Sequence, residues 1–190
     1  MNRRAIIHPT AGVNQVEGNA ALGYYDDGDE PLLVAEQFRA LLDSSDLLPV
    51  PVPELLAYLD AYPNGHLRRA EDFFYWTMVD FGLKPTIRVN HVVIYPLTES
   101  PSSSGVSYAI AIKQLYASHY FHTTLELRFL TETDLRAGHV SSLITITRSR
   151  NDGMTGLKGL FLRPIIRSRS RDAVRNYLAH VKRQVEAHAE

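Results

Sequence analysis

The sequence predicts an α+β protein built from N-terminal helices, a curved antiparallel β-sheet and a long C-terminal helix. Three observations carry this reading. Apolar residues recur every three to four positions in the first part of the chain. The period then drops to two through four successive β-rich stretches, and it returns to helical spacing over residues 172–187. Residues 1–30 read as an irregular N-terminal segment and residues 31–190 as a single domain, which is long enough to bury a hydrophobic core.

The elements follow in order. Residues 1–30 carry Gly12, Gly18, Gly23 and Gly28 and the acidic turn "YYDDGDEP". "PLLVAEQFRALLDS" places Leu32, Ala35, Phe38, Leu41 and Leu42 on one helical face, with Pro31 near the first turn. The prolines of "LLPVPVPELLAYLDAYP" cannot continue a helix, so an extended connector is expected before a short helix that Pro53 opens and Pro63 ends. "NGHLRRAEDFFYWTMVDFG" then predicts a third helix, with Ala70, Phe73, Phe74, Thr77, Met78 and Phe81 at 3–4 spacing and Gly82 as its cap.

Strands are predicted in "TIRVNHVVIYPL", "GVSYAIAIKQLYA", "YFHTTLELRFLTE" and "HVSSLITITRSR", joined by the turns "TESPSSSG" and "TDLRAG". The final stretch, "DAVRNYLAHVKRQVEA", aligns Val174, Tyr177, Leu178, Val181 and Val185 along one stripe, with Asp172 as its N-terminal acid.

Composition narrows the function classes. The 190 residues are 45% hydrophobic and 22% charged and include no cysteine, which excludes disulfides, thiol nucleophiles and cysteine-ligated zinc. "MNRRAIIHPTAGVNQ" lacks the apolar core of a signal peptide, and no stretch approaches the roughly 18 apolar residues of a membrane span. A cytoplasmic location is the expectation for the chain as given. Charge is polarised: residues 1–80 hold five arginines against thirteen Asp or Glu, and residues 148–183 hold ten Lys or Arg against Asp152 and Asp172. Arg163, Arg167, Arg171 and Arg175, spaced by four, would form one ridge on a helix and could touch an anionic membrane. With a pI near 6.7 and no recognition motif, nucleic acid is not an expected partner.

The segment "GMTGLKGLFLRPIIRSRSRDAVRNYLAHVKRQVEA" resembles the end of START-like, helix-grip (polyketide cyclase-like) proteins. In these a last strand passes through a Gly-containing basic segment into a long helix gripped by a curved antiparallel sheet. "EDFFYWTMVDFGLKPTIRVNHVVIYPL" and "KQLYASHYF" resemble segments of an uncharacterised bacterial protein family with this ending, over residues 17–187. The chain departs from the helix-grip plan in opening with helices and in showing four strong strands where six or seven are usual. The resemblance implies an apolar cavity between sheet and C-terminal helix that holds a lipid, polyketide, sterol or similar ligand.

The candidate site residues are His91, Tyr116, His119, Tyr120, His122 and Arg148. In an uninterrupted strand through "KQLYASHYFHT", Tyr116, Ser118, Tyr120, His122 and Thr124 share one face and His119 and Phe121 the other. A bulge or turn at Ala117–Ser118 would reassign them, and Tyr and Thr also favour strands for reasons unrelated to ligands. His119 and His122 have metal-like spacing for a helix, but on a strand they diverge, so no metal and no cofactor is expected. His91 lies on an apolar strand face, where a core role competes with acid–base use. Arg148 ends the last strand as a partner for an anionic headgroup. No G-x-S-x-G elbow, P-loop or dinucleotide fingerprint occurs.

Binding of a hydrophobic ligand, with transfer between membranes as its purpose, is therefore the first expectation, and catalysis is disfavoured. The alternatives are a cyclase or dehydratase that uses His and Tyr as acid and base, and an interaction module without a cavity.

Overall fold

The computed structural model describes residues 5–6, 11–26, 30–43, 52–79, 84–97, 108–119, 121–135, 138–151, 171–172, 174–184 and 186–187. They fall into two compact units, residues 1–151 and 152–190. The class is α+β, as the change of period predicts.

In the first unit three short strands, β1 (Ala5–Ile6), β2 (Tyr24–Tyr25) and β3 (Leu32–Leu33), pair antiparallel in that order. Residues 1–30, expected to be irregular, also hold helix α1 (Ala11–Glu17) and a 3-10 turn over Gly18–Leu22. Two further helices lie near where proline and periodicity put them, but Leu32, read on the face of the first, pairs in β3 instead, and that helix starts at Val34. α2 spans Val34–Asp43 and buries Val34, Phe38, Leu41 and Leu42; α3 spans Pro53–Ala61 and buries Leu55 and Leu59.

The large sheet has five antiparallel strands in sequential order: β4 (Glu71–Val79), β5 (Thr86–Pro96), β6 (Tyr108–Ala117), β7 (Phe121–Leu135) and β8 (Gly138–Asn151). β4 corrects the sequence reading. Of the helix predicted over residues 64–82, residues 64–70 are instead a loop and residues 71–79 this edge strand, whose nine residues pair one-to-one with β5 from Glu71↔Ile94 to Val79↔Thr86, while residues 80–82 lie outside the described residues. "FFYWTMV" is apolar at nearly every position, so it satisfies a helical and a strand period alike. Its aromatic content and the ladder offered by β5 settle it as strand. Both sides of β4 carry large apolar groups that stay in solvent, with Phe73 48% exposed on one and Trp76 71% and Met78 65% exposed on the other.

Alternation along the strands gives the sheet two faces. Helices α2 and α3 pack on one, where Val93, Ala109, Ala111, Leu115, Leu125, Leu127 and Phe129 join the helical residues in a single buried cluster. Register places Val92, Ile94, Ile110 and Ile112 on the opposite face, flanked by Asn90 and Gln114 at one end. A bulge between Val89 and Asn90, where Leu115 of β6 is the extra residue, breaks the alternation beyond that point.

In the second unit, residues 171–172, 174–184 and 186–187 are helical and are designated α4. Val174, Tyr177 and Leu178, expected to form its buried stripe, are exposed, and Val181 is half-buried. Val185 and the Gly-containing basic segment "GMTGLKGLFLRP" lie outside the described residues.

Candidate functional site

Two groups of buried polar side chains stand out, one on each face of the large sheet. The helix-covered face centres on Lys113, which is fully buried although β6 is otherwise apolar there. Its Nζ donates to Oδ1 of Asn19 and lies 4.6 Å from the centre of the Phe38 ring and 5.8 Å from that of Tyr62. Asn19 in turn donates its amide to the last carbonyls of α3, Leu59 at 3.1 Å and Asp60 at 2.6 Å. The negative end of α3 thus reaches the ammonium through one asparagine. Gly18 makes this approach feasible: its φ is +63°, and a Cβ there would lie 1.9 Å from the Tyr62 carbonyl oxygen. Burial lowers the Lys113 pKa to about 7, opposed by the attraction of Asp60.

His91 lies on the same face, on β5. Its Nε2 is 2.7 Å from Oδ2 of Asp72 on β4, and its ring stacks on Phe74 at 4.6 Å and tilts against Tyr62 at 4.3 Å. Burial pulls its pKa down to about 4; the hydrogen bond to Asp72 opposes this and the Lys113 charge adds to it. The imidazole is therefore neutral near pH 7, with Nε2–H donating to the carboxylate and Nδ1 buried without a partner. Burial first, and Asp72 second, raise the Tyr62 pKa to about 12, and the same two causes raise that of Tyr58.

The opposite face differs in kind. Asn90 and Gln114 are register partners, both fully buried. Neither side-chain atom of Asn90 has a hydrogen-bond partner, and Nε2 of Gln114 has none either. Thr124, buried on β7, has an unpartnered hydroxyl as well. Arg88 Nε donates to Gln114 Oε1 at 3.0 Å, while Glu126 and Arg128, two residues apart on β7, pair with each other. Burial lowers the Arg88 pKa, and Tyr75 and Glu126 oppose that shift.

The sequence-predicted residues do not converge on one site. "KQLYASHYFHT" is a hairpin rather than one strand: β6 ends at Ala117, Ser118 and His119 turn the chain, and β7 starts at Phe121. The uninterrupted row from Tyr116 to Thr124 is thereby overturned, because turn closure and bulges at both strand ends reset the alternation. Tyr116 is half-buried against the helix-side core. His122 lies 6.3 Å from the Tyr25 ring, and the Tyr25 hydroxyl accepts the Ala117 N–H at 3.2 Å. His119 is in the turn, where its carbonyl accepts the Phe121 N–H at 2.8 Å. Arg148 is half-buried on β8 opposite Leu125. Tyr120, Arg163 and Arg167 lie outside the described residues, and Arg171 and Arg175 are exposed on α4.

Sequence reasoning selected His91 and passed over Lys113, Arg88, Asn90 and Gln114. Two signals were present: a lysine and glutamine inside "AIAIKQLYA", and polar Arg88 and Asn90 alternating into apolar Val92 and Ile94. Among the described residues, no group of three or more His, Asp or Glu is placed to hold a metal ion, and no helix is long and apolar enough to cross a membrane. No family model matches the chain, and no curated protein or solved structure matches it.

Proposed function

We propose that the chain binds an amphipathic small molecule on the sheet face opposite α2 and α3. One observation carries this: a fully buried asparagine, Asn90, has no partner for either side-chain atom and sits directly beside apolar Val92 and its neighbour Ile112. A buried polar atom left unpaired costs about 1–3 kcal/mol, so a fold retains one where something else supplies the partner. A ligand with an apolar body and a polar head meets both requirements, and a hydrophobic ligand held by a curved sheet is also what the helix-grip resemblance implies. Native mass spectrometry of freshly purified protein, with extraction of whatever dissociates, tests the reading together with calorimetric titration using ten-carbon amphiphiles. A bound amphiphile supports it. Bare protein that takes up none of decanoate, decanamide and decanol overturns it.

A second reading, acid–base catalysis, draws on the Asp72–His91 hydrogen bond, which orients a neutral imidazole with Nδ1 unpartnered. It predicts that His91→Gln abolishes any turnover found with a carbonyl substrate while leaving amphiphile binding intact.

A further inference from the structure

We infer that β4 is a docking edge for a second copy of this chain: two β4 strands pair antiparallel about a two-fold axis and join the two five-stranded sheets into one.

β4 ends the strand order of the large sheet, and among the described residues no strand pairs with its outer edge. The backbone N–H and C=O groups along such an edge are a template for another strand, and folds blunt them with charges, proline, bulges or short length. β4 uses none of these over residues 73–79. It is nine residues long, pairs with β5 without a bulge, contains no proline before its end, and carries its two charges, Glu71 and Asp72, at its first two positions. The far edge of the sheet is protected: β8 presents Ser141, Ser142, Ser149 and Arg150 to solvent.

The side chains select the occupant. Phe73 and Tyr75 are exposed on the face opposite α2 and α3, and Trp76 and Met78 on the helix side. One helix laid on the sheet would cover one face, whereas an added strand continues both. Directly opposed residues in an antiparallel pair point to the same face. A symmetric pair therefore sets the row Phe74, Trp76 and Met78 against itself, and the row Phe73, Tyr75 and Thr77 against itself, in every register. The acidic starts of the two strands then lie roughly 25 Å apart at opposite ends of the pair, where a parallel pair would set them side by side. Pairing β4 with β8 of another copy would oppose apolar rows to polar ones and, being heterologous, would leave a further β4 edge open. With an aromatic side chain taken as about 150–250 Å² in full, the four exposed β4 side chains leave about 500 Å² in water per copy. Two copies offer about 1,000 Å² before the backbone is counted, the low end of specific interfaces, which fits a dimer that dissociates in the micromolar range.

Trp76 is the single tryptophan of the chain, so its emission reports on this edge directly. Sedimentation equilibrium over a concentration series should show reversible dimerisation, with Trp76 emission shifting to the red on dilution along the same curve. Hydrogen exchange should slow for β4 amides, and not for β8 amides, as concentration rises. Trp76→Lys should weaken the dimer at least about a hundredfold, because each dimer loses the ring twice and gains two like charges. Met78→Lys should act likewise, and Ile144→Lys, on β8, should change nothing. A protein that stays monomeric up to about 1 mM overturns the inference. So does a dimer that survives both β4 substitutions with unchanged urea midpoints, one that Ile144→Lys breaks, or one whose β4 amides exchange alike at every concentration, since the contact then lies elsewhere.

Discussion

The two faces of the large sheet handle buried polarity in opposite ways. On the helix side the charged groups are answered, though Nδ1 of His91 is not: Lys113 has Asn19 and two aromatic rings, and Nε2 of His91 has Asp72. Across the same strands, one residue along, Asn90, Gln114 and Thr124 are buried with atoms that nothing in the described residues satisfies. Burial is near total in both places, so burial does not distinguish them; what does is that the lysine ammonium has a partner and the amides across the sheet do not. A buried charge that is fully answered reads as architecture, and buried amides left open read as a site.

The largest test of the contrast is to break the answered side. Asn19→Leu removes the Lys113 acceptor and the cap on the α3 carbonyls. It should cost about 4 kcal/mol in urea unfolding, as when one partner of a buried charged pair is removed, and adding Lys113→Met should recover at least half of the loss.

Titration of Lys113 comes next. Its folded pKa of about 7 lies below the unfolded value near 10.5, so between these values the unfolded chain holds more protons and stability rises with pH. Below the folded value the penalty is constant. The wild-type protein should therefore gain roughly 4 kcal/mol relative to Lys113→Met between pH 7 and 10, read as a difference in unfolding free energy. Parallel curves for the two proteins would show that the lysine is not desolvated as the structure has it.

His91 sharpens the same side at acid pH. Its folded pKa of about 4 lies below the unfolded value near 6.5, so protons bind preferentially to the unfolded chain between these values. Stability should fall by roughly 3 kcal/mol as pH drops from 6.5 to 4, and His91→Gln should flatten that limb of the pH profile.

The smallest effect has the opposite sign and belongs to the face opposite α2 and α3. Asn90→Leu removes two unpartnered polar atoms from a buried position and should raise stability by about 2 kcal/mol in urea unfolding while weakening amphiphile binding. A loss of stability instead would mean that the asparagine has a structural partner.

Much of the fold was legible in advance because it rests on local signals. Pro53 at the start of α3, the amphipathic stripe of α2 and the period-2 stretches of β5 to β8 are each written in consecutive residues. β4 was misread for a reason internal to its sequence: an apolar run without contrast carries no period. The site was less legible. His91 was picked for its chemistry, but its role depends on Asp72 and Tyr62, 19 and 29 positions away in the chain. The row through Tyr116 and His122 assumed an unbroken strand, and the turn at Ser118 and His119 dissolved it.

The sequence by itself determined the class of the protein, the position of most elements and the absence of thiol chemistry, because residue type and spacing govern these directly. Only the tertiary structure decided which buried polar groups find partners. Asn19 meets Lys113 across 94 positions of chain, and Asn90 faces Gln114 through a register set by a bulge. Hydrogen bonding is short-ranged and directional, so it is settled by where distant segments come to rest, and no local pattern encodes that.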